Sequence, residues 1–108
     1  MSKQAENENR FKSMVFHALA DPVRLEMLQY LRDGEKCVCE IVPHLNIIQP
    51  VISRHLKILK DTGLVECRKD GNKRFYTITF PEIFNVLDEI TPDLKDRISK
   101  RIFEQITC

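Results

Sequence analysis

Between Gln49 and Arg74 the run QPVISRHLKILKDTGLVECRKDGNKR leaves the chain few ways to fold. Gln49-Pro50 reads as a helix start, because proline is best tolerated at the first helical position, where its missing N–H would bond nothing. Ile52, Leu56 and Leu59 then recur at i, i+4 and i+7, one apolar stripe of a helix. Ser53, Arg54, Lys57 and Lys60 lie off that stripe, so the polar face is hydroxylic and cationic. Thr62-Gly63 closes the helix, with Gly63 suited to the left-handed cap position. Leu64–Lys69 and Lys73–Phe80 read as two strands around Asp70-Gly71-Asn72, a strong short-range hairpin signal.

The segments upstream complete a DNA-binding layout. Phe11, Met14, Val15, Ala18 and Leu19 repeat at helical spacing and predict an amphipathic helix ending near Ala20, preceded by a loose arm over 1–8. Asp21-Pro22 is an N-cap followed by a first-turn proline, and Leu25, Leu28 and Leu31 line the buried side of the helix it opens. Glu35–Val38 is a candidate third strand. A short helix is expected from Glu40 to Leu45, then a turn over Asn46–Ile48. Two helices joined by a turn of about 3–4 residues form a helix-turn-helix, whose second helix enters the major groove. The fold class expected is therefore mainly α with a small β-wing, a winged helix-turn-helix. Beyond the wing, Pro81 opens a helix with Ile83, Phe84, Val86, Leu87 and Ile90. Thr91-Pro92 forces a break, and Leu94, Ile98, Ile102 and Ile106 step along a last helix. Residues 9–108 read as one domain whose terminal helices serve a two-fold homodimer.

Charge distribution supports nucleic acid where net charge does not. The chain totals +1, yet Gln49–Arg74 holds seven Lys/Arg against three Asp/Glu, a local +4 that leaves −3 for the remainder. A basic face on an acidic body is the electrostatic footprint of a DNA contact. Gln49, Ser53 and Arg54 are the candidates for base-edge contacts, since Gln pairs bidentately with adenine and Arg with guanine. Lys57, Lys60, Lys69, Lys73 and Arg74 are cast as phosphate contacts, which position without reading sequence. No apolar run approaches a membrane span, and Met1–Arg10 has no apolar core of a secretory signal. The expected location is cytoplasmic, with no membrane partner.

The strings ALADPVRLEMLQYL, CVCEI, QPVISRHLKILKDTGLV and RKDGNKRFY together resemble the ArsR/SmtB family of small dimeric metal-sensing repressors. The likeness covers about Phe11 to Thr79, and CVC at Cys37–Cys39 looks like the arsenic/antimony-responsive branch. It implies a homodimer that binds an inverted-repeat operator without a cofactor and releases it when a soft metal or metalloid binds. The chain departs from the family at Ile48 and Val51, where a Ser and a Thr would stand beside Gln49-Pro50; a helix cap and a groove contact go with them.

The thiols carry the inducer chemistry. Thiolates select soft or borderline metals. Cys37 and Cys39 cannot both ligate from a regular helix, but they can from an extended segment that just enters one. Cys39 is expected at the N-cap of the short helix, where the dipole stabilises a thiolate. As(III) or Sb(III) takes three sulfurs. Val42 stands near where the arsenic branch places its third cysteine, leaving Cys108, Cys67 or an exogenous thiol, with Cys108 preferred. Cadmium, lead and zinc are worse served: residues 1–36 hold no cysteine, and the last helix has no Asp-x-His arrangement. His17, His44 and His55 read as structural, and Asp88, Glu89, Asp93 and Asp96 as a solvated acidic face.

Three other functions compete. The thiol pair suits a redox-sensing regulator that an oxidant switches. A thiol–disulfide enzyme lacks Cys-x-x-Cys and any strand–helix alternation, so no enzyme is expected. A winged module that binds a protein partner instead of DNA would lack affinity for its own upstream region.

Overall fold

The computed structural model describes residues 2–106, and Cys108 lies outside them. The elements run α1 (Lys3–Leu19), α2 (Pro22–Leu31), β1 (Lys36–Cys37), α3 (Val38–Leu45), α4 (Gln49–Asp61), β2 (Val65–Asp70), β3 (Lys73–Ile78), α5 (Ile83–Asp88) and α6 (Pro92–Ile106). Mainly helical with a small antiparallel sheet, this is the winged helix-turn-helix expected from the sequence.

Local chemistry sets most boundaries. The Asp21 carboxylate accepts from the N–H groups of Val23 at 2.8 Å and Arg24 at 3.2 Å, capping α2 one residue before Pro22. Asn46 takes the left-handed conformation (φ 54°) that stops α3, one its short polar side chain tolerates. Gly71, at φ 60°, makes the tight connection between β2 and β3, whose register runs from Val65↔Ile78 to Asp70↔Lys73. Thr91 Oγ1 accepts from the Leu94 N–H at 3.1 Å and separates α5 from α6 as a cap.

Two differences from expectation have plain causes. Residues 3–8, expected as a loose arm, are helical: Ser2 Oγ accepts from the Ala5 N–H at 3.1 Å, and α1 begins at Lys3. This first stretch is polar on every side, so hydrophobic periodicity could not register it. Asp88 is not a free acidic group, because Arg32 grips its carboxylate at 2.9 and 2.6 Å. That grip holds Asp88 below the usual carboxylate range.

The core lies between α2, α3, α4 and the sheet. Met27, Leu28, Leu31, Ile41, Ile52, Leu56 and Leu59 are fully buried there, including the whole stripe expected of α4. The sheet order is β1-β3-β2, so the short β1 pairs with the wing through Lys36↔Tyr76 and Cys37↔Phe75. By contrast α6 buries none of its described residues. The radius of gyration is 16.8 Å, against about 13 Å for a compact domain of this size.

Candidate functional site

The recognition helix α4 presents its polar face to solvent because its apolar stripe is committed to the core. Gln49, Ser53, Arg54, Lys57 and Lys60 are all exposed. Its N-terminus is bare: Ile48 occupies the N-cap, is 68% exposed, and supplies no side-chain hydrogen bond. That agrees with the lost hydroxyl read from the sequence. The Val51 and Ile52 N–H groups both turn to the Ile48 carbonyl, at 3.1 and 3.2 Å, and Pro50 has none to offer.

The wing adds its own cations. Lys69 and Arg74 are direct cross-strand partners, and like charges in that relation repel. Such a pair is tolerable on an exposed wing and becomes favourable once a polyanion lies against it. Not every basic residue is available. Arg68 donates to both oxygens of Glu35 at 3.2 and 2.7 Å and lies over the Phe75 ring, fastening the wing to the segment before β1. Its guanidinium holds Glu35 below the usual carboxylate range. Lys57 reaches Asp61 at 2.8 Å.

A cleft of about 770 Å³ opens between α3, α4 and the wing. Gln49, Ser53, Lys57, Lys60, Lys73 and Arg74 line it, and so do Cys37 and Cys39. Six of the eight DNA-contact candidates therefore share a cavity with the thiol pair, whereas Arg54 and Lys69 lie outside it.

The pair itself is joined as a disulfide, Cys37 to Cys39. Cys37 is buried in β1, and Cys39 is exposed in the first turn of α3. The N-cap of α3 is Cys37, not Cys39 as expected, with Cys37 Sγ accepting from the Cys39 N–H at 3.1 Å. The helix starts two residues earlier than Glu40 because β1 ends at Cys37. Pro43, four residues after Cys39, has no N–H to donate to the Cys39 carbonyl, which loosens this first turn.

The donor set is sulfur alone. Among the described residues no group of three or more Cys, His, Asp or Glu gathers where it could hold an ion. Cys67 is half-buried on β2, opposite Tyr76. Burial pushes the Tyr76 phenol up, and a hydrogen bond with Cys67 adds to the shift. Cys108 lies outside the described residues.

Arg24 has no signal in the sequence that marks it out. Only 7% exposed, it donates from Nε to the Ala18 carbonyl at 2.6 Å and from Nη2 to the His17 carbonyl at 3.2 Å. Its Nη1 meets His55 Nδ1 at 3.2 Å. One guanidinium thus closes the C-terminus of α1, where a cation complements the helix dipole, and ties it to the recognition helix. His55 is structural here, as expected, and Asp21 lies 3.9 Å from it. Burial opposes ionisation of Asp21, but the Arg24 and Val23 N–H groups and the nearby His55 and Arg24 outweigh it and lower its pKa.

Comparison with known proteins agrees with this geometry. The family profile described as "Bacterial regulatory protein, arsR family" matches residues 21–66, from the cap of α2 into β2. The arsenical resistance operon repressor of Staphylococcus aureus is 40% identical over 82 residues, covering 76% of this chain and 75% of the relative. An uncharacterized HTH-type transcriptional regulator of Methanocaldococcus jannaschii is 44% identical over 80 residues, covering 70% of this chain and 90% of the relative. Among solved structures, the homodimeric winged helix-turn-helix DNA-binding domain of a possible ArsR-family regulator from Mycobacterium bovis superposes with a TM-score of 0.72. It is 26% identical, over 97% of this chain and 93% of that one. These relatives are regulators, not enzymes. The chain belongs to the ArsR/SmtB family of winged helix-turn-helix transcriptional repressors that bind DNA.

Proposed function

We propose that this repressor leaves its operator when As(III) or Sb(III) bridges the thiolates of Cys37 and Cys39. The observation that carries the proposal is the shared cleft: both sulfurs sit in its wall beside Gln49, Ser53, Lys73 and Arg74. Cys37 belongs at once to the strand that pairs with the wing and to the cap of α3, the first helix of the helix-turn-helix. A metalloid drawing Cys39 to Cys37 sets the first turn of α3 and, through it, the pose of α4 against the wing. Reciprocity then requires DNA to weaken inducer binding by the same factor, typically ~1–3 kcal/mol of coupling.

A two-fold dimer completes the DNA reading. Phe11, Phe16, Ile98, Ile102 and Phe103 are exposed on α1 and α6, and a second copy would cover them. Two recognition helices related by that axis read an inverted repeat with half-sites about one helical turn, ~34 Å, apart. The protein acts in the cytoplasm, where thiols are kept reduced. Cadmium, lead and zinc fit the two-sulfur set less well than As(III) or Sb(III). Cys108 is one route to the third sulfur.

The test is fluorescence anisotropy on the protein's own upstream DNA, reduced and oxygen-free, titrated with arsenite. Release that Cys37→Ser abolishes supports the proposal; tight DNA binding indifferent to arsenite refutes it. The disulfide between the two cysteines favours a second reading, a redox switch. There two thiols and one hydrogen peroxide give the disulfide and two waters. Peroxide-driven release without arsenite, reversed by dithiothreitol, separates that reading from the first.

A further inference from the structure

The cleft also bears on the third bond of the bound metalloid, a matter that rests on the inducer reading above. Trivalent arsenic or antimony makes three bonds, and among the described residues only Cys37 and Cys39 gather to offer two. The remaining wall beside them is basic rather than sulfur-bearing. Lys57, Lys60, Lys73 and Arg74 line it, against the single carboxylate of Asp61. That carboxylate is already engaged by Lys57 at 2.8 Å, so Lys60, Lys73 and Arg74 set the charge of the cavity. Its volume, about 770 Å³, falls within the range of small-molecule sites. A tripeptide-sized ligand fits in it.

We propose that a small anionic thiol, seated in this cleft with its carboxylates toward Lys60, Lys73 and Arg74, supplies the third sulfur. The inducer is then a thiol-capped metalloid rather than the free oxyacid. The chemistry balances without redox: As(OH)3 and three thiols give As(SR)3 and three waters. Each As–O bond is exchanged for As–S, and each thiol proton leaves on water. The same step explains release of DNA. The bound anion places its charge on cations otherwise opposed to phosphates, so the two ligands compete for one electrostatic field.

The experiment titrates arsenite into the reduced full-length protein, oxygen-free and without DNA. Separate series contain glutathione (anionic), 2-mercaptoethanol (neutral) or cysteamine (cationic). Binding is read by the near-ultraviolet absorbance of the arsenic–thiolate bonds, and composition by native mass spectrometry. The half-saturating arsenite concentration should be about tenfold lower with glutathione than with cysteamine, a gap that closes at about 1 M salt. The mass should include one glutathione per metalloid. Lys73→Gln combined with Arg74→Gln, both exposed near the wing tip, should erase the preference among thiols while arsenite still binds. Cys108→Ser should leave the glutathione complex intact. Equal saturation with all three thiols overturns the proposal, as does a complex without added thiol that Cys108→Ser destroys; the inducer reading survives either result. No arsenite binding with any thiol refutes both.

Discussion

Replacing Arg24 with alanine tests the claim that one buried guanidinium holds the end of α1 to the rest of the domain. Three hydrogen bonds disappear: to the Ala18 carbonyl at 2.6 Å, the His17 carbonyl at 3.2 Å and His55 Nδ1 at 3.2 Å. They are not equal in consequence. The His17 carbonyl still receives the Ala20 N–H at 3.2 Å, so it keeps a partner. Ala18 is fully buried, and its carbonyl loses the charged donor outright. An orphaned buried acceptor costs about 1–3 kcal/mol, and removing a cation from a partly buried helix C-terminus costs roughly a further 0.5–1 kcal/mol. The expected total is about 1.5–4 kcal/mol, with most of it falling on the docking of α1. Urea unfolding followed by circular dichroism measures this, with protein concentration held fixed because a dimer's midpoint depends on it. Arg24→Lys should recover only part of the stability, since one ammonium cannot span the positions a planar fork reaches. A midpoint shift worth less than about 0.5 kcal/mol at unchanged slope would refute the three-way role and leave Arg24 a solvated neighbour of the helix end.

Ile48→Ser should raise stability by about 1 kcal/mol, because it restores a side-chain cap to α4 at a position 68% exposed that loses little packing. A lowered thermal midpoint would count against the cap argument. Asp21 has its pKa lowered in the fold, so its contribution is present above the unfolded value of about 3.9 and is lost as pH falls through the lower folded value. Asp21→Asn, which keeps a capping oxygen, should therefore flatten the acid limb of the stability profile below about pH 4; an unchanged limb refutes the assignment. Lys73→Ala and Arg74→Ala should each weaken binding to all DNA sequences alike. Each should also lower the slope of log K against log salt by about 1 for every phosphate no longer neutralised. A sequence-selective weakening would instead make them readers of bases.

The sequence by itself determined whatever rests on interactions a few residues apart. Asp21-Pro22, Thr91-Pro92 and the Gly63 and Gly71 positions mark boundaries because caps and positive φ are local demands, indifferent to the rest of the chain. The stripe of Ile52, Leu56 and Leu59 was legible for the same reason, and so was the missing hydroxyl at Ile48. The polar start of α1 was not, since a helix exposed on all sides leaves no period to read. Tertiary structure alone decided which distant groups meet. β1 pairs with the wing across the gap from Cys37 to Phe75, and this moved the cap of α3 from Cys39 to Cys37. Arg24 bridges two carbonyls and a histidine 31 positions away, a convergence without a sequence signature. Along the chain Asp88 and Arg68 are surface charges; Arg32, the residue that caps the end of α2, and Glu35, just before β1, are their partners. The cleft that places two sulfurs among DNA-facing cations exists only because α3, α4 and the wing pack around one core. Spacing along a chain fixes directions within an element, while the distance between elements is set by the packing of their buried faces.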